Sequence, residues 1–430
     1  MTLNILTLGC SKNLVDSEHL LAQFRAAGFR ALHNDYDTPA DVVIINTCGF
    51  ILDAKEESVD TILSYIEQKR QGRIAKLFVM GCLSERYRKE LMEEMPEVDG
   101  FFGVWDMPAI LEAMGTRLDQ RLLSERVLAT PSHYAYLKIS EGCNRTCAFC
   151  AIPGIRGPQQ SISMEDLVIE SKKLVDQGVK ELILIAQDLT NYGIDLYGKR
   201  ALPDLLRELV NISGLGWIRL HYAYPTGFPE EVIGLMASEE KICNYLDIPI
   251  QHVNNQVLSA MSRGHKREKL EDLLQKFRTQ IPDVAIRTTL LTGFPGETEE
   301  AFQELMDFVR TFRFERLGVF PYSHEEDTPA FENFQDRIPQ NIKHERAEAV
   351  MALQQDISLE INEQKLGKTF KVLIDRKEGG YFVGRTQYDS PEVDNEVLIP
   401  EGPQLTTGEF YQVRMTGAAE FDLYGEVILD

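Results

Sequence analysis

Three cysteines that fall within eight residues are the most chemically distinctive feature of this chain. Cys143, Cys147 and Cys150 have the spacing C-x3-C-x2-C, and no fourth cysteine or histidine follows nearby. Three thiolates on one loop suit a [4Fe-4S] cluster, which would leave one iron open to a small molecule. A structural zinc site would require a fourth protein ligand. The alternative interpretation is that these are buried, inert thiols.

Three further cysteines each follow a predicted strand in the first part of the chain. Cys10, Cys48 and Cys82 come one or two residues after the ends of three successive strands. Because the carboxyl ends of parallel strands meet at one edge of a sheet, we expect these residues to meet in space. The pattern predicts a second three-thiolate cluster. Cys243 lies beside a strand without a companion cysteine, and we predict that it packs in the core.

The elements that position these cysteines predict an α/β protein with three domains. Residues 1–130 alternate strand and helix in a doubly wound α/β pattern. Residues 131–366 contain six strand–helix units, fewer than the eight of a closed TIM barrel, so we predict an open (β/α)6 partial barrel. Residues 367–430 change to a period of two, which predicts a small five-stranded antiparallel β-barrel.

The predicted elements have the following limits. The strands of the first domain are Leu3–Leu8, Asp41–Asn46 and Ala75–Met80, and its helices are Asp16–Ala27 and Ala54–Arg70. The strands of the partial barrel are Tyr134–Ser140, Glu181–Ala186, Trp217–His221, Tyr245–Ile248, Ala285–Leu291 and Arg316–Pro321, followed by the helix Ile342–Leu366. The strands of the last domain are Thr369–Asp375, Tyr381–Thr386, Glu396–Ile399, Phe410–Met415 and Gly425–Leu429.

Polar residues and glycines also follow the predicted barrel strands, at the face where barrel enzymes keep their sites. We predict that they bind a cofactor, although each polar group could instead cap a helix or lie on the surface. The glycine of this set would allow the backbone to approach a ligand closely. The residues are Gln187, Asp188, His252, Arg287, Gly293 and Phe294. His221, at the end of another strand, is more typical of a hydrogen-bonded core histidine.

Composition excludes some classes of function. No apolar run approaches the roughly 20 residues of a membrane helix, and Met1–Cys10 has no basic leader of a secretion signal. We therefore expect a cytoplasmic protein without a membrane partner. The net charge of −22 disfavours nucleic-acid phosphates and favours a basic partner, although solubility alone would also explain it.

These residues resemble a known enzyme family. Cys143-x3-Cys147-Ala148-Phe149-Cys150 is similar to the radical S-adenosylmethionine motif. With the upstream cysteines and the small last barrel, the whole chain resembles the methylthiotransferases, which have a cluster domain, a radical barrel and a TRAM domain. Gly9–Glu18 resembles the branch that modifies an aspartate of small-subunit ribosomal protein twelve, since the transfer-RNA branch usually has glutamine where Ser11 stands. Ser161-Ile162 and Asp327 depart from the family pattern.

The resemblance implies two [4Fe-4S] clusters and S-adenosylmethionine. The cluster on Cys143, Cys147 and Cys150 would bind S-adenosylmethionine and cleave it to a radical that removes hydrogen from the β-carbon of the aspartate. The cluster on the three upstream cysteines would supply methylated sulfur. The substrate carboxylate requires a nearby cation, for which the candidates are Lys12, Arg263 and Arg287.

The resemblance also implies partners. An electron donor is required, and the last domain would recruit the basic ribosomal protein. Residues 367–430 contain 6 Lys and Arg against 12 Asp and Glu, so stable RNA binding is not expected. Two alternatives stay open: methylthiolation of a transfer-RNA adenosine, and a non-catalytic iron–sulfur or zinc scaffold that docks on ribosomes.

Overall fold

A computed structural model describes residues 1–402 and 404–428, and it begins with a five-stranded parallel sheet. The strands of this amino-terminal sheet are β1 (Thr2–Thr7), β2 (Arg30–His33), β3 (Val42–Thr47), β4 (Lys76–Gly81) and β5 (Gly100–Phe101). The helices are α1 (Ser11–Ala26), α2 (Leu52–Arg70), α3 (Cys82–Arg86), α4 (Arg88–Glu94) and α5 (Met107–Ala113). The spatial order β2-β1-β3-β4-β5 is that of doubly wound proteins.

Both faces of the amino-terminal sheet are covered, which confirms the predicted doubly wound pattern. Val43 and Ile45 of β3 pack against Ile62 of α2 on one face. Ile44 of the same strand packs on the other face, in a cluster that includes Phe24 of α1. All six residues of β3 are buried, as expected for a central parallel strand.

The central sheet has six parallel strands, and among the described residues its first and last strands do not pair. This confirms the open (β/α)6 arrangement. The strands are β6 (Tyr134–Lys138), β9 (Glu181–Ile185), β10 (Trp217–Leu220), β11 (Ile242–Asp247), β12 (Ala285–Thr292) and β13 (Arg316–Pro321), and β7 (Ser140–Glu141) and β8 (Gln160–Ser161) form a separate pair. The helices are α6 (Ile152–Arg156), α7 (Met164–Asp176), α8 (Ile194–Tyr197), α9 (Leu202–Val210), α10 (Glu231–Ser238), α11 (Asn255–Ala260), α12 (Arg267–Gln280), α13 (Glu299–Phe312), α14 (Pro329–Asn333) and α15 (Gln340–Glu363).

The carboxy-terminal barrel is closed and five-stranded, as predicted, but it is not wholly antiparallel. Its strands are β14 (Thr369–Glu378), β15 (Tyr381–Thr386), β16 (Glu396–Pro400), β17 (Phe410–Ala418) and β18 (Asp422–Val427). Strands β16 and β18 pair in parallel. A ring of five strands cannot alternate in direction throughout, because alternation requires an even number. The last residue of the predicted strand Gly425–Leu429 lies outside the described residues.

A loop of the carboxy-terminal barrel enters the amino-terminal edge of the central sheet. Asp389 pairs with Arg316, the first residue of β13. Asp394 accepts a hydrogen bond of 2.7 Å from the Tyr245 hydroxyl. Tyr134 at the start of β6 donates to Glu392, with an oxygen–oxygen distance of 3.0 Å. The barrel is therefore joined to the edge of the sheet where its strands begin.

Glu181 is a completely enclosed charge of this junction. Its side chain is 0% exposed and lies 2.7 Å from Arg219 Nε and 2.6 Å from Arg385 Nη2. Burial alone would raise the pKa of this carboxyl, but Arg385 and Arg219 outweigh burial and hold the pKa below its ordinary value. Ionised Glu181 thus joins β9 and β10 to the barrel strand β15.

No helix in the described ranges combines the length and the apolar character that crossing a membrane requires.

We expect Glu181→Gln to lower the free energy of unfolding by about 3 kcal/mol at pH 7, because the buried Arg219 and Arg385 would lose a negatively charged partner. The pKa of Glu181 is lowered in the folded state, so its contribution is present above the unfolded pKa of about 4.3 and is lost as the pH falls through the folded value. Denaturant unfolding at pH 7 and at acidic pH would measure the difference in the free energy of unfolding between the wild-type protein and the variant. This difference should be smaller at acidic pH.

The matched control is Glu426→Gln on β18. Glu426 pairs with Arg414, but its side chain is 53% exposed, and exposed pairs contribute little. Equal losses in the two variants would contradict the assignment of Glu181 to a stabilising buried network.

Candidate active site

The loop with Cys143, Cys147 and Cys150 lies at the carboxyl edge of the central sheet, beyond β6 and β7. The backbone amide of Arg145 lies 3.4 Å from Cys143 Sγ. The guanidinium of Arg263 donates to Cys147 Sγ at 3.2 Å. Burial raises the pKa of the Cys150 thiol to about 12, and Cys147 and Cys143 add to the increase. The three thiols therefore lie close enough to influence one another electrostatically.

Arg145 fastens this loop to the sheet. Its Nε donates to Asp188 Oδ2 at 2.7 Å, and its guanidinium carbon lies 4.0 Å from the centroid of the Tyr224 ring. Asp188 in turn accepts from the backbone amide of Thr190 at 2.8 Å. Asp188, which we predicted as a cofactor ligand, thus positions the cysteine loop in this structure.

Cys10, Cys48 and Cys82 lie together at the carboxyl edge of the amino-terminal sheet. A methyl group added to Gly9 would lie 2.7 Å from Cys48 Cβ, which shows how closely the first two loops approach. Burial raises the pKa of the Cys82 thiol to about 11, with Arg156 opposing and Cys10 and Cys48 adding to the increase. Cys10 and Cys48 follow β1 and β3, between which the strand order reverses, and such switch points form binding crevices.

The two cysteine sets face one interface. Ala151, which directly follows Cys150, packs in one buried cluster with Cys82. Arg156 of α6 is 1% exposed. Its Nη2 lies 2.5 Å from Asn13 Oδ1 and 3.3 Å from Cys82 Sγ. A guanidinium of α6, beside the central sheet, therefore reaches a thiol at the start of α3, beside the amino-terminal sheet.

Carboxylates balance the charge of Arg156. Nη1 of Arg156 lies 2.8 Å from Glu141 and 3.4 Å from Asp16. Lys138 also contacts both carboxylates. Burial would raise the pKa of Glu141, but Lys138 and Arg156 lower it to about 2. Sequence reasoning gave Arg156 no role, because its partners are far from it in the chain.

The chemistry of the thiols suits iron–sulfur clusters. Among the described residues, no group of three or more His, Cys, Asp or Glu side chains is arranged to hold one ion. In an iron–sulfur cluster each thiolate binds its own iron atom, so the sulfurs need not surround one centre. Two sets of three convergent cysteines with neighbouring guanidinium groups are consistent with that donor set.

Two other predicted cofactor residues meet through Glu297. Nε2 of His252 lies 3.3 Å from Glu297 Oε2, and the backbone amide of Gly293 donates to the same oxygen at 3.0 Å. Gly293 has a φ of +75°, and a side chain there would clash with Lys343. These contacts fix the glycine loop against the end of β11.

The remaining predicted cofactor residues lie in three other environments. Gln187 donates to Glu141 at 2.5 Å. Phe294 is buried in one cluster with Ala148 of the cysteine loop. Arg287 is separate, since it pairs with Asp247 at 3.0 Å and with Asp394 at 3.3 Å.

Other cysteine and histidine predictions concern the core. Cys243 is buried beside Trp217 and Tyr245, as predicted for a packing residue. His221 is buried and its Nε2 lies 2.8 Å from Ser390 Oγ, which confirms a hydrogen-bonded core histidine.

Comparison with known proteins assigns a family to each part of the chain. Residues 2–103 match the uncharacterized protein family UPF0004, residues 137–309 match the radical SAM superfamily, and residues 366–428 match the TRAM domain. The class is therefore a radical S-adenosylmethionine enzyme, which implies S-adenosylmethionine and a [4Fe-4S] cluster. Relatives with full-length similarity define the family further.

Two relatives are named ribosomal protein uS12 methylthiotransferase RimO. The protein of Christiangramia forsetii is 55% identical over 99% of this chain and 94% of its own length. The protein of Cytophaga hutchinsonii is 54% identical over 99% of this chain and 97% of its own length. The chain belongs to the RimO family of radical SAM methylthiotransferases.

Solved structures share the fold at low sequence identity. The radical S-adenosylmethionine methyltransferase TsrM of Kitasatospora setae has a TM-score of 0.57 and 16% identity, over 88% of this chain and 79% of that chain. The cobalamin-dependent S-adenosylmethionine radical enzyme OxsB has a TM-score of 0.51 and 13% identity, over 82% of this chain and 56% of that chain.

We expect Gly142→Ala to prevent the cysteine loop from forming correctly. Gly142 has a φ of +78°, and a methyl group there would clash with the carbonyl oxygens of Gly157 and Pro158. A strained backbone of this kind costs about 1–3 kcal/mol before the clash is counted. The midpoint temperature of thermal unfolding and the iron content after anaerobic reconstitution should both be lower than in the wild-type protein.

Gly154→Ala is the matched control in the adjacent helix α6. A methyl group at Gly154 meets no atom within 4 Å, so stability and iron content should not fall. If Gly142→Ala bound as much iron as the wild-type protein, the conformation of the loop would not be required for iron binding by its three cysteines.

Proposed function

We propose that this chain transfers a methylthio group to the β-carbon of an aspartate in ribosomal protein uS12. The observation that carries the proposal is the common interface of two three-cysteine sets, one on each sheet. Ala151 beside Cys150 packs on Cys82 there, so a substrate at this interface would be accessible to both sets. The names of the full-length relatives support the choice of substrate.

We propose that both cysteine sets hold [4Fe-4S] clusters: Cys143, Cys147 and Cys150 hold one, and Cys10, Cys48 and Cys82 hold the other. When bound, the first provides reductive cleavage of S-adenosylmethionine and the second provides the sulfur. The proposed domains are 1–130, 131–366 and 367–430. The proposed S-adenosylmethionine residues remain Gln187, Asp188, His252, Arg287, Gly293 and Phe294. The buried Oε1 of Gln187 has no hydrogen-bond partner among the described residues and suits this role.

The chain's own contribution is placement and charge. Arg263 donates to Cys147 Sγ, and Arg156 donates to Cys82 Sγ, so each set of thiols has one buried guanidinium beside it. Hydrogen bonds to cluster sulfurs and exclusion of solvent set the reduction potential of such centres. Each arginine would therefore raise the reduction potential of the cluster beside it, independently of the other cluster.

The partner proposal concerns the acidic carboxy-terminal barrel. We propose that it attracts basic uS12 rather than RNA, that a separate electron donor reduces the protein, and that the reaction takes place in the cytoplasm. Asp389 and Asp394 of the barrel pair with arginines of the central sheet. Asp375 of the barrel is likewise paired with the buried Arg385, so these three carboxylates would not contribute to the attraction of a basic partner.

The decisive experiment incubates reconstituted protein with S-adenosylmethionine, a reductant and purified uS12. We expect mass spectrometry to locate a methylthio group on one aspartate of uS12, whereas transfer RNA in its place should gain none. Cys10→Ala should abolish the methylthio product but still form deoxyadenosine. Cys147→Ala should stop deoxyadenosine formation, because the radical step requires its thiolate.

Cys243→Ala is the control, since Cys243 is a core residue away from both sets and its loss should leave both products. Modified transfer RNA with unmodified uS12 would assign the chain to the alternative substrate. Bound zinc with no cleavage of S-adenosylmethionine would indicate a scaffold. Full methylthiolation by Cys10→Ala would refute the sulfur-donor assignment.

Arg156→Lys should alter the second cluster alone. A lysine retains the charge but cannot replace the planar guanidinium, which donates hydrogen bonds to both Asn13 and Cys82. Loss of a hydrogen bond to a thiolate destabilises the reduced cluster, so its midpoint potential should become more negative. Spectroscopic redox titration would measure the potentials of both clusters.

The reciprocal variant is Arg263→Lys, which removes the corresponding contact with Cys147. It should shift the potential of the first cluster and leave the second unchanged. If both variants shifted both potentials equally, the arginines would be acting on the fold in general and not on separate clusters.

A further inference from the structure

A buried lysine beside Cys10 has no acidic partner. Lys12 is 7% exposed, and its ammonium lies 3.1 Å from the centroid of the Tyr222 ring. In the part of the chain that the structure describes, no Asp or Glu side chain forms an ion pair with this ammonium. A cation–π contact offsets only part of the cost of burying a charge. Lys12 is therefore prepared to accept an anion.

The aromatic partner of Lys12 is held in a strained conformation. Tyr222 has a φ of +62°, which a bulky residue rarely adopts. Its backbone amide donates to Asp247 Oδ2 at 3.0 Å, and its carbonyl accepts from the amide of Leu189 at 3.2 Å. Strain of this kind persists only where the surroundings impose it, and it is concentrated at functional sites.

Arg287 supports Tyr222 indirectly. Its guanidinium pairs with Asp247 Oδ1 at 3.0 Å, while the other oxygen of that carboxylate holds the Tyr222 amide. Two of the cations proposed from the sequence thus differ in their partners. Arg287 is paired with Asp247 and Asp394, whereas Lys12 has no acidic partner among the described residues.

The position of Lys12 connects the two halves of the site. It is the second residue of α1, two residues after Cys10, whereas Tyr222 follows β10 at the carboxyl edge of the central sheet. The adjacent Ser11 Oγ is buried and has no hydrogen-bond partner among the described residues. The first turn of α1 contains no acidic residue, and the amino terminus of a helix favours anions.

We propose that Lys12, with Ser11 as a neighbouring donor, binds the side-chain carboxylate of the aspartate that becomes methylthiolated. This inference rests on the proposed function and adds the residue that selects its substrate. A carboxylate entering this position would neutralise a buried charge that the protein leaves unpaired. An asparagine or a neutral adenine base would not, so Lys12 would discriminate against both.

The carboxylate of S-adenosylmethionine is the other source of the same chemistry. The substrate is favoured because Lys12 belongs to the helix that begins at Cys10, and the carbon that receives sulfur must approach that set. Arg263 is the cation that contacts the other cysteine set, through Cys147. Separate binding measurements with the two molecules distinguish the sources.

The test compares binding of two probes to cluster-loaded enzyme under anaerobic conditions. The probes are purified uS12 and a uS12 variant with asparagine in place of the modified aspartate. Wild-type enzyme should prefer the aspartate form by about tenfold or more. Lys12→Met, which keeps the apolar stem over Tyr222, should bind both forms equally, and Lys12→Arg should retain the preference because it retains the charge.

Lys55→Met is the matched control, since Lys55 lies at the same interface but is already paired with Glu325 at 2.7 Å. It should keep the wild-type preference. The affinity of Lys12→Met for S-adenosylmethionine, measured without uS12, distinguishes the two carboxylates, and thermal unfolding would verify that each variant is folded.

Two results would overturn the assignment. If Lys12→Met kept the preference for aspartate, Lys12 would not bind the substrate carboxylate. If this variant instead lost affinity for S-adenosylmethionine, the carboxylate would be that of the cofactor. Wild-type enzyme that modified no uS12 would refute the proposed function itself, whereas active wild-type enzyme with either result above would refute only the role of Lys12.

Discussion

A buried ion network that includes one guanidinium between the two cysteine sets joins the two sheets. Arg156 ends helix α6, beside the central sheet, and donates to Cys82 of α3 and Asn13 of α1, beside the amino-terminal sheet. A buried arginine of this kind is stable only when its charge is balanced, and Asp16 and Glu141 supply the carboxylates, one from each side. The interface is therefore an ion network whose parts are complete only when both sheets are present, and the two cysteine sets face each other as a result.

Much of this arrangement could be predicted because parallel strands impose it. A buried apolar run such as β3 is recognisable in sequence, and the carboxyl ends of neighbouring parallel strands meet. This explains why residues as distant as Cys10 and Cys82 could be placed together. Short edge strands escaped detection, since β2 has four residues and β5 has two, too few for a periodic pattern. The start of α1 at Ser11 was also missed. Its first turn contains the buried polar residues Lys12 and Asn13, so it lacks the alternation of apolar buried and polar exposed residues that indicates a helix.

The polar contacts of the site could not be predicted from the sequence. Asp188 and Arg145 are 43 residues apart, and Arg156 and Asn13 are 143 apart, so no local pattern relates them. A polar residue at a strand end has the same sequence signature whether it binds a ligand or positions a neighbour. The charge count of the last segment has a similar limit. It includes Asp375, Asp389 and Asp394, which pair with arginines inside the protein and are mostly or fully buried themselves, so they do not belong to the surface that a partner meets.

The loop that joins the carboxy-terminal barrel to the central sheet has an evolutionary consequence. Glu181 and Arg316 of the sheet obtain part of their neutralising charge from Arg385 and Asp389 of the barrel. Exchanging the barrel for an unrelated one by recombination would leave these sheet residues uncompensated in a dry environment. A change in the barrel loop is therefore constrained by the charges of the sheet, and a substitution on one side would require a matching substitution on the other.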